Sequence, residues 1–324
     1  MRLACERLQQ PGELLGSTDG CDDEVESHGR TLTAVPLVSV LLAVHNDARF
    51  VRDAIDSVLR QTLHDLELVV VDDASSDPTR ALLAEIADTR LVVLRNERQA
   101  GLAASLNRGL DAASGTYVAR LDADDVAVDE RLARQVERLR ADSRTAVVGS
   151  AVVDVDEEGR RGRTHVMPAG AVPLRWHALF SSPFFHPTVL VDRVRLEEHG
   201  LRYDTSFPES EDYDLWTRLF EHADGDNLRE PLVLKRVHAS QASQQRHELQ
   251  ESCQRRVALR EIAKIAPEVD AELAWRVGAY KWPERGSTRA FLRLLRAFER
   301  RHGRHRAVRM AALRSLVGAH RRRG

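Results

Sequence analysis

Five runs of apolar and β-branched residues, at 38–44, 66–71, 91–94, 117–121 and 146–153, alternate with segments of helical spacing. Each run is strand-length and apolar almost throughout, the pattern of a strand buried on both faces. The first helical segment, 50–60, places Val51, Ile55, Val58 and Leu59 on one side. The second, ending near 87, has Ser76 or Asp77 to cap it and Pro78 at its first position. Segments 102–113 and 130–141 complete the set. Such an alternation specifies an α/β fold, a mixed and mainly parallel sheet with helices on both faces. Sheets of this kind bind ligands beyond the carboxyl ends of their strands. Three polar clusters fall at those ends: His45-Asn46-Asp47, Asp72-Asp73-Ala74-Ser75 and Asp122-Ala123-Asp124-Asp125.

After residue 153 the alternation loosens. A turn at 157–159, a helix at 174–180, a strand at 188–191, a helix at 211–221 and a strand at 232–237 are expected. From residue 245 the chain reads as helices separated near Pro267 and around 283–286. Three units follow: a disordered leader over 1–35, an α/β domain over 36–245 whose pattern changes between a 36–153 half and a 154–245 half, and a basic helical extension over 246–324.

Charge divides the chain in the same place. From Arg246 onward, 20 Lys and Arg stand against 8 Asp and Glu, whereas the net charge of the whole chain is −2. The front part is therefore acidic, which argues against a nucleic-acid-binding core. No apolar run reaches the roughly 20 residues of a membrane span, and the first residues lack the apolar core of a secretory signal. Three scattered cysteines, Cys5, Cys21 and Cys253, make neither a disulfide framework nor a zinc cluster. Free thiols of this kind suit the cytoplasm.

The acidic triplet is the sharpest chemical signal. Asp122, Asp124 and Asp125 directly follow a buried strand and repel one another unless a cation neutralises them. Hard oxygen ligands suit magnesium or manganese. The competing reading is a solvated turn that caps the helix starting near Asp129. Asp72 and Asp73 have two readings of equal weight, a turn with a helix cap or a carboxylate accepting from a nucleobase or ribose.

Together these residues resemble glycosyltransferase family 2, with the GT-A nucleotide-diphospho-sugar transferase fold. The resemblance runs from about 36 to 243 through Asn46, Asp72-Asp73, Asn96, Gly101, Asn107, Asp122-Ala123-Asp124-Asp125, Arg131, Gln135, His186-Pro187, Glu211-Asp212, Trp216 and Arg236-Val237-His238. It implies a metal-dependent, inverting enzyme that moves a sugar from a nucleotide diphosphate to a glycan or lipid-linked acceptor, as in polysaccharide assembly. By the same resemblance Asp73 binds the nucleobase with Asp72 beside it, and His45, Asn46 and Arg120 attend the donor. Asp124, Asp122 and His238 hold manganese or magnesium. Asp212 is the general base with Glu211 next to it, and His186 borders the acceptor, with Trp176 as a stacking surface. His45 stands where many relatives have tyrosine, and Lys235 where tyrosine is commoner.

The fingerprints of rival nucleotide enzymes are absent. No Gly-x-Gly-x-x-Gly follows the first strand, no Gly-x-x-x-x-Gly-Lys occurs, and no glycine-rich basic loop suits a nucleotidyltransferase. A non-catalytic sugar-nucleotide-binding scaffold is the rival from another class, and the joint presence of Asp73, Asp122, Asp124 and Asp212 argues against it. In the extension, Phe291, Leu294, Leu295 and Phe298 form one apolar stripe and Met310, Leu313 and Val317 another. Two readings are open: helices packed on the domain with an arginine-rich outer face, or peripheral docking on an anionic membrane at the cytoplasmic face.

Overall fold

The computed structural model describes residues 35–238 and 247–321. The expected leader falls almost entirely outside them, as do Cys5, Cys21 and the last two arginines of the chain. All five expected strands form: β1 (Val38–Val44), β2 (Leu66–Asp72), β3 (Leu91–Arg95), β4 (Tyr117–Arg120) and β6 (Thr145–Val155). The helices between them are α1 (Val51–Leu59), α2 (Thr79–Ala84), α3 (Leu102–Ala112) and α4 (Arg131–Ala141). Further along come α5 (Ala171–His177), β8 (Leu190–Asp192), α6 (Arg193–Glu198), α7 (Glu211–Leu219) and β9 (Asp224–Arg236). Two short strands, β5 (Val126–Ala127) and β7 (Arg161–His165), were not expected.

One nine-stranded sheet runs in the order β3-β2-β1-β4-β8-β6-β9-β5, with β7 on β6. Strands β3, β2, β1 and β4 are parallel, so their carboxyl ends share an edge. Strand β8 lies antiparallel between β4 and β6, while β9 runs parallel to β6. The β1 and β2 side chains are almost wholly buried on both faces. One face packs with α3, α5 and α7 and the other with α1, α2 and α4. Strand β6 crosses residue 153, so a single sheet serves both proposed halves.

The segment after 245 is helical: α8 (His247–Ile265), α9 (Ala271–Gly278), α10 (Ser287–His302) and α11 (Arg306–Arg321). Phe291, Leu294 and Phe298 are fully buried, as the first stripe requires. They join Trp176 and Phe180 in one cluster, with Trp176 5.1–5.7 Å from the rings of Phe180, Phe291 and Phe298. Edge-on aromatic packing of this sort anchors the extension to α5. The second stripe stays on the outer face. Met310, Leu313 and Val317 are 45%, 53% and 43% exposed, and α11 instead buries Val308, Ala312, Ser315 and Ala319.

Candidate active site

Three backbone features assemble the site. The register Val44↔Asp72 in the β1–β2 pair puts the loops after these strands side by side. Leu121 N–H donates to Leu41 O at 3.1 Å, which brings Asp122 up beside them. Beyond the acidic turn, Val126 pairs with Leu234 and Ala127 with Val233. The turn is thus gripped at both ends, and the end of β9 is delivered against it.

That delivery positions Arg236 and His238. Arg236 is 5% exposed. Its N–H donates to Asp125 Oδ1 at 2.9 Å, its Nε to Asp124 O at 2.9 Å and its Nη2 to Asp53 Oδ2 at 3.1 Å. Its guanidinium lies 4.3 Å from the centre of the Phe50 ring. His238 Nε2 sits 3.0 Å from Asp124 Oδ2, beside the acidic turn.

The carboxylate oxygens of Asp122, Asp124 and Asp125 lie within 4.8 Å of one another. Asp125 Oδ2 is buried without a hydrogen-bond partner among the described residues, and burial with the neighbouring Asp122 and Asp124 pushes the Asp125 carboxyl well up. Asp47, also at this edge, rises to about 6 through burial and the charges of Asp124 and Asp77, against the pull of His238 and Arg236. Three clustered carboxylates, with a buried oxygen and a histidine beside them, fit a hard divalent cation.

A cleft of about 600 Å³ opens over this turn. It brings together His45, Asn46, Arg120, Asp122, Asp124, His186, Glu211, Asp212 and His238. His45 Nδ1 is 2.7 Å from Asp73 O, and its Nε2 is 3.1 Å from Asn46 Nδ2. A carbonyl can only accept, so Nδ1 carries the proton and Nε2 accepts from the amide. Asn46, at φ 55°, in turn accepts at Oδ1 from Ser76 N–H (2.7 Å) and Asp77 N–H (3.2 Å).

Asp72 and Asp73 are not in the cleft wall. Both are buried, at 2% and 4% exposure. Asp73 Oδ1 accepts from Asn96 Nδ2 and Ala100 N–H at 2.7 Å, and Oδ2 from Gly101 N–H at 2.9 Å. Gly101 takes φ 88°, a conformation glycine adopts freely, and α3 starts from it. Asp72 Oδ1 accepts from Ser75 N–H at 3.0 Å. In this structure the pair shapes the loops at the donor edge.

On the opposite wall, Glu211 and Asp212 open α7 after Ser210, which is left-handed at φ 63°. Ser182 Oγ donates to Asp212 Oδ2 at 3.0 Å. Burial raises the Asp212 carboxyl, opposed by the Ser182 hydrogen bond and by Arg120. Glu211 rises to about 7, through burial and then the charge of Asp212. Arg120, 4% exposed, pairs with Asp122, while its Nε and Nη1 have no hydrogen-bond partner among the described residues. Arg131 does not line the cleft; its Nη2 donates to Arg120 O at 2.7 Å and braces β4.

His186 Nε2 is 3.0 Å from Tyr203 OH. Burial, with Arg120 nearby, holds its pKa well below the usual imidazole range, so the ring is neutral. Asn107 fixes Tyr203 in turn, donating to its O at 2.8 Å and accepting from its N–H at 3.0 Å. The acceptor-stacking expectation for Trp176 is corrected: the ring is 3% exposed and spent on the aromatic cluster. Sequence reasoning missed Ser182, Tyr203, Glu209 and the α8 side chains Gln250 and Gln254. All but Tyr203 line the cleft, and only tertiary packing brings them there.

The glycosyl transferase family 2 profile matches residues 39–193. EpsE of Bacillus subtilis, provisionally named a glycosyltransferase, is 35% identical over 202 residues, 61% of this chain and 72% of that protein. The chain belongs to glycosyltransferase family 2. It is accordingly a transferase, and the curled mixed sheet is that of the GT-A glycosyltransferases. The succinoglycan biosynthesis protein ExoO of Rhizobium meliloti is 35% identical over 188 residues, 55% of this chain and 54% of that one. A mannosyltransferase structure from Pyrobaculum calidifontis, in complex with GDP-Man and Mn2+, superposes with a TM-score of 0.55 at 19% identity, covering 90% of this chain and 87% of that one. Among the described residues no helix of this glycosyltransferase is long and apolar enough to cross a membrane.

Proposed function

We propose that this glycosyltransferase moves a sugar from a nucleoside diphosphate to an acceptor hydroxyl with inversion, in the assembly of a polysaccharide. One observation carries the reading: Asp212 and the Asp122–Asp124 turn face each other across a single cleft of about 600 Å³. The names of ExoO and of the mannosyltransferase complex support the polysaccharide and the donor class.

The chemistry divides between the walls. A donor diphosphate is a poor leaving group because negative charge gathers on its oxygens. Manganese or magnesium held by Asp122, Asp124 and His238 supplies positive charge to those oxygens. His45 and Asn46 border the donor, with Asp72 and Asp73 setting the loops that receive its base. Arg120 adds a buried cation between the donor turn and the catalytic pair. Asp212, oriented by Ser182, takes the proton of the attacking hydroxyl, a contribution of typically 10²–10⁴-fold. Burial strengthens Asp212 as a base. His186, held neutral by its surroundings, offers a hydrogen bond on the acceptor side. Attack opposite the leaving group inverts the anomeric carbon and calls for no covalent sugar–enzyme intermediate.

The test is a screen of UDP-, GDP- and dTDP-sugars with manganese, read by thermal shift and by nucleoside diphosphate release. We expect at least one nucleotide to raise the melting temperature in a manganese-dependent way, and release to occur. The reading fails if no nucleotide stabilises the protein, or if release continues unchanged in Asp212→Asn.

A further inference from the structure

Helix α8 runs alongside α7. Ser210 Oγ, at the start of α7, lies 3.5 Å from Gln250 O, and beyond the other end Lys264 Nζ bonds Glu221. Between these points Cys253 and Val257 are buried in one cluster with Tyr213 and Trp216. The i, i+3, i+7 spacing of Gln250, Cys253 and Val257 keeps one side of α8 against α7. Gln250 and Gln254 also line the reaction cleft, so one helix both walls the cleft and holds α7.

The two helices are joined at Asp214, in the same first turn of α7 as Asp212. Asp214 is 1% exposed. Its oxygens go to two different arginines. Oδ2 accepts from Arg218 Nε at 2.8 Å, within α7, and Oδ1 accepts from Arg260 Nη1 at 2.5 Å, from α8. Arg260 Nη2 donates to Thr217 Oγ1 at 2.8 Å, and that hydroxyl donates to Asp214 O at 2.9 Å. One planar guanidinium thus grips the Asp214 side chain and, through Thr217, its backbone. Two points of contact fix orientation as well as distance. The start of α7 has need of such a grip, because left-handed Ser210 gives it no side-chain cap. The turn is held from outside: Ser182 Oγ donates to Asp212, Tyr213 OH donates to Ala178 O at 2.6 Å, and Arg260 donates to Asp214.

We infer that Arg260, from the C-terminal extension, is a positioning residue for Asp212, which makes the extension part of the machinery of transfer. The inference rests on the glycosyl-transfer reading of the cleft. Arg260 does not line that cleft and acts only through α7. With the guanidinium gone, a buried oxygen of Asp214 loses its cation. The turn then relaxes towards Arg218, and Asp212 drifts from Ser182 and from the attacking hydroxyl. A displacement of about 1 Å lowers a rate about a hundredfold.

The test follows release of nucleoside diphosphate to water from UDP-glucose, GDP-mannose and dTDP-glucose with manganese, using the full chain and the donor that turns over fastest. Arg260→Met keeps a long side chain without the charge. It should lower kcat by about tenfold to a hundredfold and leave the donor KM and the manganese-dependent nucleotide thermal shift unchanged. The Ser182 hydrogen bond holds the Asp212 carboxyl down, as does Arg120. Loss of the first, with Arg120 and Glu211 unaltered, should move the acid limb of the kcat profile to higher pH. Arg260→Lys can still reach Asp214 and should recover part of the rate. In Arg260→Met/Asp214→Asn the two losses should not add, as expected of groups in contact. Lys264→Ala is the control: it removes a bond between the same two helices at the far end of α7, and kcat and the acid limb should stay as they are. The inference is overturned if Arg260→Met turns over like the unaltered protein, if its acid limb does not move, or if Lys264→Ala loses as much. Should Arg260→Met not fold, Arg260→Lys carries the same test, with a smaller fall in kcat and the same direction of shift. Absence of release from the unaltered protein with all three donors would instead overturn the transfer reading beneath it.

Discussion

The donor edge and the C-terminal helices are built by different means. At the donor edge, backbone pairing does the placing: parallel strands bring three loops to one line, and β5–β9 closes the fourth side. The helical extension is placed mainly by side chains, through the cluster of Trp176, Phe180, Phe291 and Phe298 and through Arg260, which pairs with Asp214 and donates to Thr217 Oγ1 at 2.8 Å. Pairing fixes a position to a residue, whereas packing fixes only a face. A reacting group tolerates little displacement, and the acidic turn sits where hydrogen bonds locate it.

Substitutions can break that comparison, and the largest effect belongs to the catalytic wall. Asp212→Asn should lower transfer by about 10²–10⁴-fold with the melting temperature and nucleotide binding little changed; a parallel fall in binding would mean that the residue serves the fold. Phe298→Ala, at a fully buried ring, should cost about 3–5 kcal/mol of stability. Denaturant unfolding should show the loss, while manganese-dependent nucleotide binding survives at low temperature. If binding vanished with it, the two regions would not be separable.

Asp124→Asn should remove the manganese-dependent part of nucleotide stabilisation, worth about 2.7 kcal/mol at a ligand concentration of 100 Kd. Without ligand the protein should be no less stable, because one of three mutually repelling charges has gone. Retained manganese dependence would refute the assignment of this turn.

A smaller effect concerns pH. Glu211 has a folded pKa of about 7 against an ordinary 4.5, so the folded state holds its proton over a range where the unfolded state has lost it. Stability contributed by that proton is present below 4.5 and declines as pH rises towards 7, with a slope of at most about 1.4 kcal/mol per pH unit. Glu211→Gln should flatten the decline in a series of melting curves. Smallest of all, Leu313→Ser on the exposed face of α11 should change stability by no more than about 0.5 kcal/mol.

The sequence made the first region far more readable than the second. Strands β1, β2 and β6 are buried on both faces, so their apolar runs were continuous and their ends marked the polar clusters. Strand β7 has no such run; four of its five residues are exposed, and it is held by pairing to β6. The early part of β9, Asp224-Gly225-Asp226-Asn227, is polar yet largely buried, because Asp226 meets Arg138 at 2.7 Å and Asn227 bonds Pro168 O and Pro183 O. Helix α11 was hard to read for a different reason. Its large apolar residues face outward while Val308, Ala312, Ser315 and Ala319 make the contact, and small residues weigh little in a hydrophobic pattern. At the site, motif residues were visible as local clusters. Ser182, Tyr203 and Gln250 act across long sequence separations and left no local trace.

The closing of the acidic turn by β9 also bears on how the chain comes into being. Strand β4 ends at Arg120, but its neighbour β8 begins at Leu190, and the partner of β5 lies near residue 233. During synthesis the first four strands can pair while β4 still presents a raw edge, open to wrong partners until some seventy more residues emerge. The aspartates wait longer still for their clamp. A nascent chain halted between β8 and β9 would own every acidic residue of the turn and yet lack the brace that aims them, so the turn takes its shape only once β9 has emerged.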